Sequence, residues 1–404
     1  MRKAVVFGGV LCLAAVSVLA GPQGAPFRVS SCTTCRQEMP AVAGSPSGSF
    51  LVLWQGMSAK DFRGINGRLF ASTGAAAAVD FLVNKDVAPD QYDAAVARDA
   101  QGNFIAAWSE VANGNSEIMA QRFAATGAPL GSAFKVNVDA PGSVPADLKP
   151  SVAATKDGFV VVWLSLLPGS GNNPGTMPQV LARRFNTAGT PLGAQVQLST
   201  GLVNDQRPDV CVDTSGRIIT VWTSVDRFLP FEPSKEGISM RRLTAAGAPV
   251  AGVEVVVPPT ANELRPTVAC GAGSTFVVVW HGDLPPAVEG TDILGQRYSR
   301  LGRKVGPVFR LNTVTASNQR NPSVSYDSKG NFVAVWQGYT GSKYGVFGRR
   351  FTGAGAAAGP EFEVASDLHL KLEDPRVAHI GTAGNFVVVW QSPARAIFGQ
   401  RFTP

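Results

Sequence analysis

The sequence predicts an all-β protein assembled from one repeated unit, and three observations lead there. The first is the spacing of tryptophan: Trp54, Trp108, Trp163, Trp222, Trp280, Trp336 and Trp390 are separated by 54, 55, 59, 58, 56 and 54 residues. The second is that each closes an apolar run: SFLVLW, NFIAAW, GFVVVW, RIITVW, TFVVVW, NFVAVW and NFVVVW. The third is that glycine-bearing turns such as DAQGN (99–103), ATGAP (125–129) and DSKGN (327–331) separate segments rich in Val, Phe and Ile, with no sustained helical period. A fixed period of this size marks a repeat architecture.

Each unit reads as four strands. The first follows P-x-V-A, as in Pro150-Ser151-Val152-Ala153 and Pro322-Ser323-Val324-Ser325. The second is the tryptophan strand. The third reads I-x-x-Q-R-F, as in IMAQRF (118–123) and IFGQRF (397–402), and the fourth reads F-x-V-N, as in FKVN (134–137). In the second strand both faces are apolar: Phe386, Val388 and Trp390 point one way, Val387 and Val389 the other. Such a strand must be covered on both faces. Four-stranded sheets stacked around an axis meet that need, so the expected fold is a single seven-bladed β-propeller of antiparallel blades.

The repeats set the expected boundaries. Blade 1 spans about 39–84, blade 2 92–137, blade 3 148–199, blade 4 206–257, blade 5 264–312 and blade 6 320–365. Blade 7 covers 373–403 but stops before its fourth strand. GAPFRVS (24–30) matches GSAFKVN (131–137), so residues 26–31 are expected to complete blade 7 and close the ring.

Residues 1–20 read as a secretory signal. Arg2 and Lys3 precede an apolar run, and Val18-Leu19-Ala20 forms the cleavage signature. The run is short for a retained anchor, Leu11 stands where a lipoprotein site at Cys12 wants a small residue, and no later stretch is long enough to span a membrane. The expectation is an exported protein, periplasmic, extracellular or surface-bound, with its propeller in residues 21–404. Without Arg2 and Lys3, 34 basic residues face 29 acidic ones, and the positives are scattered. That argues against a nucleic-acid partner.

The pattern GNFVVVWQS, then QRF, F-x-V-N and PSVA, resembles tandem repeats of large secreted and surface proteins of bacteria, haemolysin-type calcium-binding adhesins among them. The likeness runs through residues 21–404 and implies the propeller fold. In that family the loop after the tryptophan is often rich in Asp, Gly and Ser. Here it varies, as in QGMSAKDFRG (55–64) and QGYTGSKYG (337–345). No metal or other cofactor is expected.

Candidate chemistry is sparse. The seven tryptophans form a column at one strand position, which suits packing between blades better than a ligand ring. Arg122, Arg184, Arg242, Arg297, Arg350 and Arg401 form a second column, broken by Leu69, and read as scaffold bonded to backbone or to acidic groups. Cys32 and Cys35 suit a local disulfide, with a redox pair as the alternative, since Arg36 stands where haem attachment needs His. Cys211 and Cys270 are offset by one position in the first strands of blades 4 and 5. They therefore face each other across that interface or remain buried thiols. His281, His369 and His379 lie in different repeats without ligand spacing, and no catalytic set is found.

Function is expected where the repeat breaks its own symmetry. The loops between second and third strands are longest in blades 3, 4 and 5: 164–179, 223–237 and 281–292. Leu166, Leu167, Phe228, Leu229 and Phe231, with His281 beside them, would form an apolar ridge that contacts a protein or glycan, or would fold back onto the loops. The main expectation is a non-catalytic binding module. The alternatives are a polysaccharide-acting enzyme at the central face and a structural subunit of an envelope or extracellular assembly.

Overall fold

A computed structural model of the chain describes residues 21–57, 63–77, 79–85, 89–139, 147–167, 177–200, 208–226, 235–250, 252–261, 264–283, 290–315 and 317–404. Its strands form seven four-stranded antiparallel sheets in a ring, the predicted propeller. In six sheets the strands run outward from the axis in chain order. In blade 7 the outermost strand is Phe27–Arg28, paired with the third strand Ile397–Phe402 as Phe27↔Gly399 and Arg28↔Phe398. Backbone bonds from Gln23 N to Arg401 O (2.7 Å) and from Val29 N to Ile397 O (2.8 Å) extend this closure.

The two apolar faces of each tryptophan strand explain the ring. Phe386, Val388 and Trp390 pack against Val333, Val335 and Val346 of blade 6, while Val387 and Val389 pack against Phe50, Val52 and Trp54 of blade 1. The same arrangement recurs at the other interfaces, and all seven tryptophans are buried. Removal of one such side chain from water is worth roughly 1.5–3 kcal/mol or more, and every blade contributes several.

The arginine column is scaffold, as expected. Arg122 donates to Thr187 O (2.5 Å) and Arg242 to Leu301 O (2.8 Å), in each case a turn of the following blade. Arg401 reaches Thr73 O of blade 1 in the same way. The turns are built for it: Gly302 holds φ +76°, and a methyl group there would fall 2.1 Å from the Arg242 guanidinium. The neighbouring arginines reach backward, Arg183 to Val136 O and Arg241 to Leu198 O. Leu69 breaks the column and is buried in the apolar core between blades 1 and 2.

Both candidate cysteine pairs are disulfides. Cys32 and Cys35 lie 5.5 Å apart at Cα, and Cys211 and Cys270 lie 5.7 Å apart across the interface of blades 4 and 5. Two disulfides suit an oxidising compartment. Among the described residues no helix is long and apolar enough to cross a membrane. Residues 1–20, which carry the expected export signal, lie outside the described residues.

Candidate functional site

The innermost strands carry a backbone feature that the repeat alone does not reveal. Each begins with an X-Pro-x-Val motif (Ala94 replaces proline in blade 2), and in the six blades other than blade 4 the pairing register shifts at that motif. At the shift the residue X is left-handed: Met39, Asp93, Lys149, Arg265, Asn321 and Asp374 have φ between 47° and 57°. The blade 4 counterpart, Arg207, lies outside the described residues. Residues before proline are ordinarily extended, and a non-glycine left-handed residue costs on the order of 1–3 kcal/mol. Strain repeated at one position of the ring must be enforced from outside the strand.

At four of the six described positions the enforcing group is the residue after the tryptophan of the preceding blade. Trp54 faces the preceding blade, so Gln55 faces the following one. Its Oε1 accepts the backbone N–H of Asp93 at 3.1 Å. Gln391 does the same for Met39 (3.2 Å), Ser109 Oγ for Lys149 (3.1 Å) and Gln337 for Asp374 (3.3 Å). Gln337 also accepts from Asn321 Nδ2 at 2.8 Å. The Trp-Gln pair of the repeat is thus a packing residue followed by a clamp on the next blade.

The consequence is a ring of side chains at one mouth of the axial funnel. The funnel encloses about 380 Å³ and is lined by all seven innermost strands, with the motif valines from Val42 round to Val377 in its wall. Arg265 donates to Asn321 Oδ1 (2.7 Å) and lies 3.7 Å from the Asp374 carboxylate, so it bridges three blades. Asp209 on the funnel wall accepts from Ser151 Oγ (2.9 Å), Thr267 Oγ1 (2.8 Å) and Val268 N (2.9 Å). Lys149, Arg265 and Arg376 supply positive charge here, and Asp209 and Asp374 supply carboxylates.

On the same face the funnel opens into a groove over blades 6, 7, 1 and 2. A cleft of about 490 Å³ between blades 7 and 1 shares Met39 and Asp374 with the funnel. It continues through Arg36 and Glu38 into a cleft of about 310 Å³ at blades 1 and 2. Through Lys371 it continues into one of about 180 Å³ at blades 6 and 7. Glu38 is held between Arg36 (2.9 Å) and Arg395 (2.7 Å), and Arg63 is bonded to Asp90 and Tyr92, both at 2.8 Å. The Cys32–Cys35 loop anchors this region: Cys32 O accepts from Arg28 Nη2 (2.8 Å) and Gln37 Nε2 (2.9 Å), beside Arg36.

The ridge expected on blades 3–5 is a different region. Phe228, Leu229 and Phe231, with the side chain of Leu167, lie outside the described residues. Leu166 is half-buried at the end of its strand, Gly158–Leu167. His281 is only 4% exposed, inside the interface of blades 5 and 6 and in the clamp position after Trp280. Burial, and then the charges of Arg265 and Arg320, push its pKa down to about 3, so the ring is neutral. Among the described residues no cluster of His, Cys, Asp or Glu could hold a metal.

No protein-family model matches the chain, and no curated protein matches it, so nothing ties the repeats to the calcium-binding adhesins they resemble. The fold does have solved counterparts. A protein of unknown function from Dyadobacter fermentans superposes with a TM-score of 0.57 at 10% identity, over 95% of this chain and 99% of that one. An ulvan lyase bound to -[GlcA(1-4)Rha3S]- superposes with a TM-score of 0.51 at 8% identity, over 93% of each chain. At these identities the likeness is one of fold.

Proposed function

We propose that this propeller acts on a polysaccharide at its central face, with the sugar chain in the groove over blades 6, 7, 1 and 2 and one unit over the funnel mouth. The observation that carries the reading is the ring of left-handed residues. Strained backbone is kept where it aims side chains at a task, and here it aims charged and amide groups from successive blades at one mouth. Mixed charge beside hydrogen-bonding groups suits a hydroxyl-rich ligand, and an open groove suits a polymer better than an enclosed small molecule. The ulvan lyase of like fold has a polysaccharide bound, which agrees with this choice. Asp374, at the junction of funnel and groove, is the carboxylate we assign to the reacting position. The two disulfides support work outside the cytoplasm, after export on residues 1–20.

The test is release of new chain ends from a panel of polysaccharides by the whole protein. Asp374→Asn keeps a residue that tolerates the left-handed backbone, and it should lower turnover at least about 100-fold with the melting curve unchanged. Binding without turnover would reduce the protein to a binding module. Absence of both binding and turnover across the panel would overturn the reading.

A further inference from the structure

The cations of the groove are not all alike. Arg36, Arg395 and Arg63 are each paired with a carboxylate, Glu38 or Asp90. At the end of the groove, in the cleft between blades 6 and 7, Arg320 and Lys371 are both exposed and neither has a carboxylate partner among the described residues. No Asp or Glu lines that cleft. The nearby carboxylates are engaged elsewhere. Asp367 accepts the N–H groups of His369 (2.9 Å) and Leu370 (3.0 Å), Glu363 is paired with Lys343 (2.5 Å), and Glu373 accepts from Gln391 (3.4 Å).

The same cleft holds two tyrosines. The rings of Tyr339 and Tyr344 lie 4.7 Å apart between centroids, and Lys371 Nζ sits 5.9 Å from the Tyr344 centroid. Tyr339 Oη donates to Gly341 O at 2.9 Å, which fixes its ring. A ring that carries a cation on its face, beside a free guanidinium, presents a flat apolar surface and two unneutralised donors together.

We infer that the cleft between blades 6 and 7 is an anion subsite that takes an acidic sugar, its ring against the tyrosines and its carboxylate or sulfate between Arg320 and Lys371. This rests on the central-face reading and names the class of polymer: a polysaccharide with acidic units spaced by others. The next cleft sets Glu38, Glu373 and Asp374 against Arg36, Lys371 and Arg395, so its charges balance and it adds no net attraction for a charge on every unit. That feature separates an acidic polysaccharide from a nucleic acid, whose backbone bears a charge at each nucleotide.

The test is retention of the full chain in affinity gels containing hyaluronan, which bears a carboxylate on every second unit, kappa-carrageenan, which bears a sulfate on every second unit, or uncharged dextran. Stronger retention by one of the acidic gels than by dextran is expected, and which acidic gel wins distinguishes carboxylate from sulfate. R320Q/K371Q should weaken that retention at least about tenfold while retention by dextran holds and the melting curve does not move, because both side chains are exposed. Y344A should weaken retention too, which a purely electrostatic patch would not show. Retention by dextran alone would overturn the anion subsite and leave the central-face reading intact. Acidic retention untouched by the double variant, or equal retention by a gel of single-stranded DNA, would also overturn the subsite. Retention by none of the three would overturn both.

Discussion

Blades 6, 7 and 1 clamp the following blade with glutamine, whereas blades 3, 4 and 5 carry Leu164, Thr223 and His281 at that position. In the first sector Gln337, Gln391 and Gln55 each accept a strained backbone N–H of the next blade. In the second, Thr223 Oγ1 and His281 Nδ1 are buried without a partner among the described residues. The first sector has short connections, 340–343 in blade 6 and 392–396 in blade 7, and carries the groove. In the second, the connections run from 168 to 176 and from 227 to 234, and a disulfide joins blades 4 and 5. One repeat thus supports two ways of joining neighbours. A polar clamp joins the blades along the groove, and a disulfide joins blades 4 and 5, where the clamp bond is missing among the described residues.

The clearest way to break the first sector is to remove its seam. Deletion of residues 21–31 takes away the outer strand of blade 7, including Val29, which is fully buried, and the backbone bonds to Arg401 and Ile397. The expected loss is on the order of 5 kcal/mol, a fall in melting temperature of about 6 °C. An unchanged melting curve would show that the seam does not hold the ring.

The matching test on the second sector is Cys211→Ser with Cys270→Ser. The bridge spans 59 residues, so its loss should cost about 2–4 kcal/mol in urea unfolding. The Cys32–Cys35 bridge spans only three residues and should matter much less to global stability. Equal effects of the two pairs would mean that the interface of blades 4 and 5 does not depend on its cross-link.

The fold could be read from the chain because it rests on periodicity, and the same periodicity narrowed Cys211 and Cys270 to a bridge or two buried thiols. Tryptophan at a constant spacing reports blades, and a one-residue offset between Cys211 and Cys270 reports opposite faces of neighbouring sheets. The funnel mouth could not be read in the same way. Left-handed backbone at Lys149 or Asp374 contradicts the local preference before proline and is held by a bond from the neighbouring blade. A trace was present in the repeated glutamine at 55, 337 and 391, but its partner lies in another repeat. The groove residues, among them Arg320, Lys371, Glu38 and Tyr92, differ in type from blade to blade, so the repeat that reveals the fold hides them.

The smallest expected effect exchanges the two sectors directly. His281→Gln places in blade 5 the clamp used by blades 1, 6 and 7. The folded His281 has its pKa pushed down to about 3 by burial and by Arg265 and Arg320, while the unfolded chain titrates near 6.5. Between these values the unfolded state holds a proton the fold lacks, so stability falls as pH drops from about 6.5 toward 3 and is unaffected above it. Glutamine removes that term and should raise stability at pH 5 by about 2 kcal/mol relative to the parent, with a change of less than about 1 kcal/mol at pH 8. His379, pushed down to about 4 mainly by burial, stays and preserves part of the acid slope. Parallel stability–pH curves for the two proteins would show that the clamp position in blade 5 is not where the acid sensitivity resides. A gain at pH 8 as large as that at pH 5 would show instead that the glutamine has formed a new clamp bond, which would sharpen the contrast between the sectors into a single side chain.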